Sequence, residues 1–223
     1  MIRIVAGSLR GRRLAVAPGV RPTTERAREA LFSILGTRVR EARILDAAAG
    51  SGALGFEALS RGAREVVFVE ADHRVARVLG ANASSTGLGD RVRIVAREVS
   101  AFLRAERPSG FDVAFFDPPW AAPVAGEMEG LWSALLPTGI LVVERGSGTD
   151  PWPSPPVAPS VRRYGKTALF LYDRTAAATE PGQGAVSGAM LRMGAERRVR
   201  GARPNSGGAG EGAERIDPVG RHQ

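Results

Sequence analysis

Leu45-Asp46-Ala47-Ala48-Ala49-Gly50-Ser51-Gly52-Ala53-Leu54-Gly55 is the stretch on which the fold turns. It follows a short apolar run and opens a segment of helical periodicity, with Gly50, Gly52 and Gly55 in the spacing G-x-G-x-x-G. Glycines so placed let a ligand approach the backbone of a tight strand-to-helix turn while a helix N-terminus faces it. Two ligand classes fit such a loop. A dinucleotide would set its pyrophosphate there, but Asp46 at the strand end would repel it. The same carboxylate can pair with a cationic amino-acid moiety such as that of S-adenosylmethionine. Glu70 closes the next apolar run, where a carboxylate accepts hydrogen bonds from ribose hydroxyls in either class. Asp72 reads as the N-cap of the following helix.

Working outward from the loop, short apolar runs alternate with helical segments, the pattern of a parallel sheet covered on both faces. Strands are expected at Ile44–Asp46, Glu65–Glu70, Val92–Ala96, Phe111–Asp117 and Thr138–Glu144, with helices at about Ala53–Arg61, His73–Thr86, Val99–Arg104 and Gly126–Leu136. After the proline-rich stretch Pro151–Pro159, Val161–Tyr164 and Ala168–Tyr172 read as a closing antiparallel pair. Upstream, Ile2–Val5 and Leu14–Val16 flank the Gly7 and Gly11 turns as a small hairpin. Pro22, Thr23 and Thr24 then start a helix ending near Gly36. The expected organisation is a basic hairpin and helix over residues 1–40, a main domain over 41–174 and a disordered tail over 175–223, where large apolar residues are too few to offset the entropy of ordering.

The 223 residues, 43% hydrophobic and 24% charged, suit one ordinary domain with some excess length and exclude fibrous classes. No apolar stretch approaches the roughly 20 residues of a membrane helix, and the N-terminus is polar, so a soluble, unprocessed cytoplasmic protein is expected. With no cysteine, disulfides, thiolate zinc sites and cysteine nucleophiles are excluded. Two histidines, His73 and His222, leave little for an imidazole metal centre. The net charge of +8 concentrates at the start: ten arginines against three glutamates lie between Met1 and Arg43. That clustering favours a polyanionic partner.

A second motif, Asp117-Pro118-Pro119-Trp120, ends the apolar strand Phe111–Phe116. The two prolines lack N–H groups and fix φ, which makes a rigid turn rich in acceptors. A carboxylate and a carbonyl can together bind both N–H groups of an exocyclic amine, leaving its lone pair free, and Trp120 can stack on the planar base carrying it. Glu144, His73 and Asn82 read as structural or peripheral.

Together with Arg10-Gly11-Arg12-Arg13-Leu14, Arg21-Pro22-Thr23-Thr24-Glu25-Arg26-Ala27-Arg28-Glu29-Ala30-Leu31-Phe32 and Arg163-Tyr164-Gly165-Lys166-Thr167-Ala168-Leu169, the glycine loop and the Asp-Pro-Pro-Trp motif resemble the bacterial RsmD family from Arg3 to Tyr172. The resemblance implies a class I, Rossmann-like, S-adenosylmethionine-dependent methyltransferase. Its fold would be α/β: a mostly parallel seven-stranded sheet with helices on both faces, plus a small N-terminal β-hairpin and helix appendage. It also implies methylation of a guanine N2 amine in 16S rRNA of the small ribosomal subunit, by a monomer without a metal. Asp46, Ala48, Gly50, Ser51 and Gly52 would then surround the cofactor's methionine part, with Glu70 on ribose and Glu98 near adenine. Asp117, Pro118, Pro119 and Trp120 would meet the target amine. Arg10, Arg12 and Arg13 would contact RNA phosphates, with Arg21, Thr23 and Arg26 beside the cofactor or the flipped nucleotide's phosphate. Glu98 stands where many members carry aspartate, Trp120 where tyrosine or phenylalanine is usual, and Lys166 where an acid follows Tyr-Gly. Competing readings are an adenine-N6 or other base-amine methyltransferase acting on DNA or another RNA, an NAD-dependent dehydrogenase, and a non-catalytic RNA-binding protein.

Overall fold

The N-terminal hairpin forms over fewer residues than its alternating pattern suggests. Strand β1 (Ile2–Arg3) pairs antiparallel with β2 (Arg13–Leu14), and the N–H groups of Val5 and Ala6 then turn to the carboxylate of Glu57, at 2.8 and 3.0 Å. A buried acceptor on another element thus ends the ladder. The expected helix is α1 (Glu25–Leu35), capped by the Thr24 hydroxyl accepting from the Ala27 N–H and closed at Gly36 with φ 54°. A 3-10 turn over Gly36–Val39, absent from the sequence reading, leads into the sheet.

The main domain continues as β3 (Arg43–Ala47), α2 (Ala53–Ser60), β4 (Glu65–Glu70), α3 (His73–Thr86), β5 (Val92–Ala96), α4 (Val99–Glu106), β6 (Phe111–Phe116), α5 (Ala125–Ala134), β7 (Leu135–Gly146), β8 (Ser160–Tyr164), β9 (Thr167–Asp173) and α6 (Arg174–Ala177). The structure is a computed structural model that describes residues 1–20, 23–119, 124–146 and 151–177. The sheet runs β5-β4-β3-β6-β7-β9-β8, parallel except for β9, which lies antiparallel to both neighbours. The α/β, mostly parallel seven-stranded expectation therefore holds.

Alternation along each strand divides the core between the two faces of the sheet. Ile44, Val66, Phe68, Val113 and Phe115 pack with Leu31, Phe32, Phe56 and Leu79 of α1, α2 and α3. Leu45, Val67, Ala114, Leu141 and Val143 pack with Phe102, Met128 and Leu131 of α4 and α5. Each such side chain contributes roughly 1.5–3 kcal/mol by burial. Ile4 and Leu14 belong to the first of these clusters, and Asn82 of α3 bonds both the N–H and the carbonyl of Ala15, at 2.9 and 3.0 Å. The hairpin is thus built into the core of the domain and does not hang from it.

Two boundaries differ from the sequence reading by three residues. Helix α5 stops at Ala134, and β7 begins at Leu135 opposite Phe111, skips register, and resumes at Ile140 opposite Val113. The excess residues are absorbed at Gly139, where a Cβ would sit 2.9 Å from that of Leu135 and 3.1 Å from the Phe111 carbonyl oxygen. Residues 175–177, expected in the tail, continue as the last turn α6, and Arg174 anchors it by donating to the carbonyls of Trp132 and Leu135 at 3.1 and 2.7 Å. The remainder of the expected tail lies outside the described residues. Among the described residues, no helix is long and apolar enough to cross a membrane.

Candidate active site

Parallel strands β3, β4, β6 and β7 all end on one edge, and the connections reverse direction between β3 and β6, where α/β sheets open a crevice. A cavity of about 680 Å³ lies there. Its walls include Asp46, Ala48, Gly50 and Ser51 from the glycine loop, Glu70 from β4, Glu98 before α4, and Asp117, Pro118 and Pro119 after β6. Two motifs separated by more than sixty residues thus meet in one space because their strands are neighbours.

The loop is held from within. Asp46, 3% exposed, accepts the Gly55 N–H at 2.9 Å, which pins the first turn of α2 to the end of β3. Glu70 accepts the N–H groups of Gly50 and Asp72 with its two oxygens, at 2.8 and 2.9 Å. Ala48 adopts φ 57°, an uncommon conformation for a residue with a Cβ and of the kind that concentrates at ligand sites. Gly50 and Gly52 have φ 53° and 72°, but they serve differently. Gly50 faces the cavity. Gly52 is absent from its walls, and a Cβ there would fall 2.5 Å from Leu79 Cδ2 and 2.8 Å from the Phe56 ring, so its role is to let α2 and α3 pack. Asp72 caps α3 through the Arg74 N–H, as expected.

Burial pushes the Asp46 carboxyl up to about 8, with the Gly55 N–H opposing and the charge of Glu70 adding to the rise. The unfolded chain releases this proton near the ordinary aspartate value of about 4, so between pH 4 and 8 the folded state holds a proton that the unfolded state has lost. Stability of the ligand-free protein therefore falls as pH rises through that window, by at most about 1.4 kcal/mol per pH unit for this group. Urea denaturation between pH 5 and 8 checks this, and Asp46→Asn, which keeps an acceptor for Gly55, is expected to flatten the slope. A slope unchanged in the variant would refute the assignment.

At the other end of the cavity, Asp117 faces Thr23 and Glu144. The Thr23 hydroxyl lies 3.4 Å from Asp117 Oδ2 and 3.0 Å from Glu144 Oε2. Burial raises the Asp117 carboxyl well above its usual range; the charges of Glu144 and Asp46 add to this, and Thr23 and Arg145 oppose it. Arg145, 4% exposed, donates to the Pro119 carbonyl at 3.1 Å and so braces a turn whose prolines have no N–H of their own.

Thr23, grouped by sequence with RNA contacts, is 7% exposed and points between two carboxylates, an environment hostile to phosphate. Glu144, read as structural or peripheral, lines the cavity. The sequence signal for Glu144 and Arg145 was that charged residues close the buried run Ile140–Val143, as Asp46, Glu70 and Asp117 close theirs. Arg10, Arg12, Arg13 and Arg26 are exposed and outside the cavity. Arg21 and Trp120 lie outside the described residues.

A family model described as Conserved hypothetical protein 95 matches residues 2–173. The chain belongs to this family, the RsmD family. Ribosomal RNA small subunit methyltransferase D of Escherichia coli strain K12 is 36% identical to this RsmD-family chain over 182 residues, covering 78% of this chain and 91% of that protein. The protein of the same name from Haemophilus influenzae is 38% identical over 152 residues, 64% of this chain and 78% of its own length. Among solved structures, a hypothetical protein of Thermus thermophilus superposes with a TM-score of 0.67 at 37% identity, covering 78% of this chain and 99% of that one. The fold of this RsmD-family chain is that of Rossmann-like methyltransferases.

Proposed function

We propose that this chain uses S-adenosylmethionine to methylate the exocyclic N2 amine of a guanine in 16S rRNA of the small ribosomal subunit. The observation that carries the reading is the charge of the cavity. In a protein of net charge +8, six acidic side chains line it, Asp46, Glu70, Glu98, Asp117, Glu127 and Glu144, of which the buried Asp46 and Asp117 hold their protons in the ligand-free protein and can ionise beside a cation, and among the described residues no lysine, arginine or histidine does. Such a space accepts a cation and repels a pyrophosphate, which favours a sulfonium cofactor over the dinucleotide that the glycine spacing also permits.

The residues present fit that cofactor. Asp46 and the loop at Ala48, Gly50 and Ser51 would hold its amino-acid end, Glu70 its ribose and Glu98 the adenine side. When bound, S-adenosylmethionine supplies a methyl group on a cationic sulfur. Asp117 and the Pro118 carbonyl would each accept one N–H of the target amine, with Arg145 bracing the turn at the Pro119 carbonyl. Their fixed positions hold the amine's lone pair toward the methyl donor. Trp120 would stack on the base.

The target nucleotide must leave its stack to enter the cavity, and exposed arginines would grip the flanking backbone. Arg13 pairs in register with Arg3, which bonds Glu25 at 3.2 Å, two residues after Thr23 in the cavity wall. The hairpin arginines Arg10, Arg12 and Arg13, with Arg26 of α1, thus belong to the segment that borders the site, and Arg21 would join them in holding RNA. The names of the relatives favour rRNA over DNA, and a cytoplasmic monomer is the corresponding setting.

Tritium transfer from labelled S-adenosylmethionine tests the reading, using undermethylated 16S RNA, free and in assembled small subunits, with DNA as control. Label is expected in N2-methylguanosine from a ribosomal substrate. Label confined to another base or to DNA would overturn the substrate, and absence of both label and cofactor binding would overturn the methyltransferase assignment.

A further inference from the structure

A nucleotide that enters the cavity stays joined to two backbone phosphates, and those phosphates cannot follow it in. Six acidic side chains line the walls, so an anion among them is repelled, and cations that hold the strand must stand at the mouth. The segment before α1 supplies one such cation: Thr23 and Thr24 border the cavity, and Arg26 is exposed two residues further on. Beyond β6, whose end carries Asp117, the sheet continues β7-β9-β8. Thr167 opens β9, pairs with Gly146 at the end of β7 and with Tyr164 of β8, and lines the same cavity as Asp117 and Glu144. Gly165 and Lys166, which join β8 to β9, therefore stand on the edge of the sheet where the cavity opens. The strand order puts them nearer its Asp117 end than its glycine-loop end.

The turn presents a side chain to solvent. Gly165 takes φ 62°, and a Cβ there would meet nothing within 4 Å. Lys166 is exposed and is the one lysine of the chain, and among the described residues no acid pairs with it. Arg162 and Arg163, exposed on β8, extend the positive surface along the strand, and residues 160–168 hold no acid. Strand β8 is an edge of the sheet, and charge along an edge discourages pairing with another sheet. That accounts for the two arginines but not for Lys166, which lies on the turn outside the ladder.

We propose that Lys166, at the tip of the β8–β9 turn, binds a phosphate of the RNA strand beside the target nucleotide, while Arg26 holds the strand from the α1 side. The proposal rests on the rRNA methyltransferase reading above. An ammonium pairs with phosphate as a point charge and reads no base, so Lys166 sets affinity and the position of the strand, not the choice of base.

The lone lysine makes the test direct. Acetylation by an N-hydroxysuccinimide ester, followed by mass spectrometry of the peptide that carries Lys166, is expected to slow about fivefold or more when undermethylated 16S RNA is bound, and not with S-adenosylmethionine alone. Lys166→Gln is expected to weaken RNA binding about threefold to tenfold at low salt and to reduce the slope of log affinity against log salt by about 1. The loss should appear in KM for RNA, with cofactor affinity by calorimetry unmoved. The proposal is overturned if Lys166 is acetylated as fast with RNA bound as without it, or if Lys166→Gln keeps the wild-type salt slope. Failure of the wild type to bind or methylate any RNA would instead overturn the function on which the proposal rests.

Discussion

Asp117→Ala is expected to lower the single-turnover methylation rate by about 10²–10⁴ while leaving the protein folded and cofactor affinity within about tenfold. The reasoning is geometric. Asp117 ends β6 against Thr23 and Glu144, and it is the carboxylate of the rigid Asp-Pro-Pro turn that borders the cavity. Under the proposed function, removing it takes away an acceptor for the target amine. The fold should tolerate the loss, because burial and the charges of Glu144 and Asp46 already disfavour the ionised form of Asp117. Thermal stability near pH 8 is therefore expected to hold or rise slightly. Asp117→Asn, which retains an oxygen acceptor, should lose less. Methylation at the wild-type rate in Asp117→Ala would remove Asp117 from the chemistry.

The largest stability effect is expected at Glu57, far from any reacting group. Its fully buried carboxylate accepts the N–H groups of Val5 and Ala6 at 2.8 and 3.0 Å and the Arg61 Nε at 2.8 Å, and stands 3.5 Å from the Nε of Arg28. Arg28 is itself 1% exposed and also donates to the Arg3 carbonyl. Glu57→Gln would leave that guanidinium buried without its counter-charge, a loss of about 3–5 kcal/mol. Against a typical total of about 5–15 kcal/mol, this should lower the melting temperature by roughly 6–20 °C. Scanning calorimetry measures it directly; a shift below about 2 °C would show that the hub contributes little. Because this hub clasps the hairpin to α1 and α2, amide exchange at Val5 and Ala6 should quicken in the same variant.

Much of the fold was legible because its signals are local. Alternating apolar strands and amphipathic helices write their period into neighbouring residues, and five expected strands and four helices recur in the structure within a few positions. The glycine loop and Asp-Pro-Pro were legible for the same reason, since each is a short run with a defined backbone requirement. The 3-10 turn at Gly36–Val39 and the early start of β7 at Leu135 were not: the first is a brief departure at a helix end, and the second depends on pairing with Phe111.

What the sequence determined by itself, then, is the set of elements, the acidic ends of the strands and the arginine-rich start of the chain, each set by side-chain chemistry within a few residues. Only the tertiary structure decided which of those groups meet. The strand order brings the end of β6 beside both β3 and β7, and the packing of α1 on the sheet sets Thr23, just before it, against carboxylates 94 and 121 residues away. That encounter sets Thr23 at the Asp117 end of the cavity and brings Glu144 into its wall, with Arg145 behind it on Pro119. Contacts of such separation leave no periodicity in the chain, because they are set by how the helices and strands pack and not by the spacing of the residues that make them.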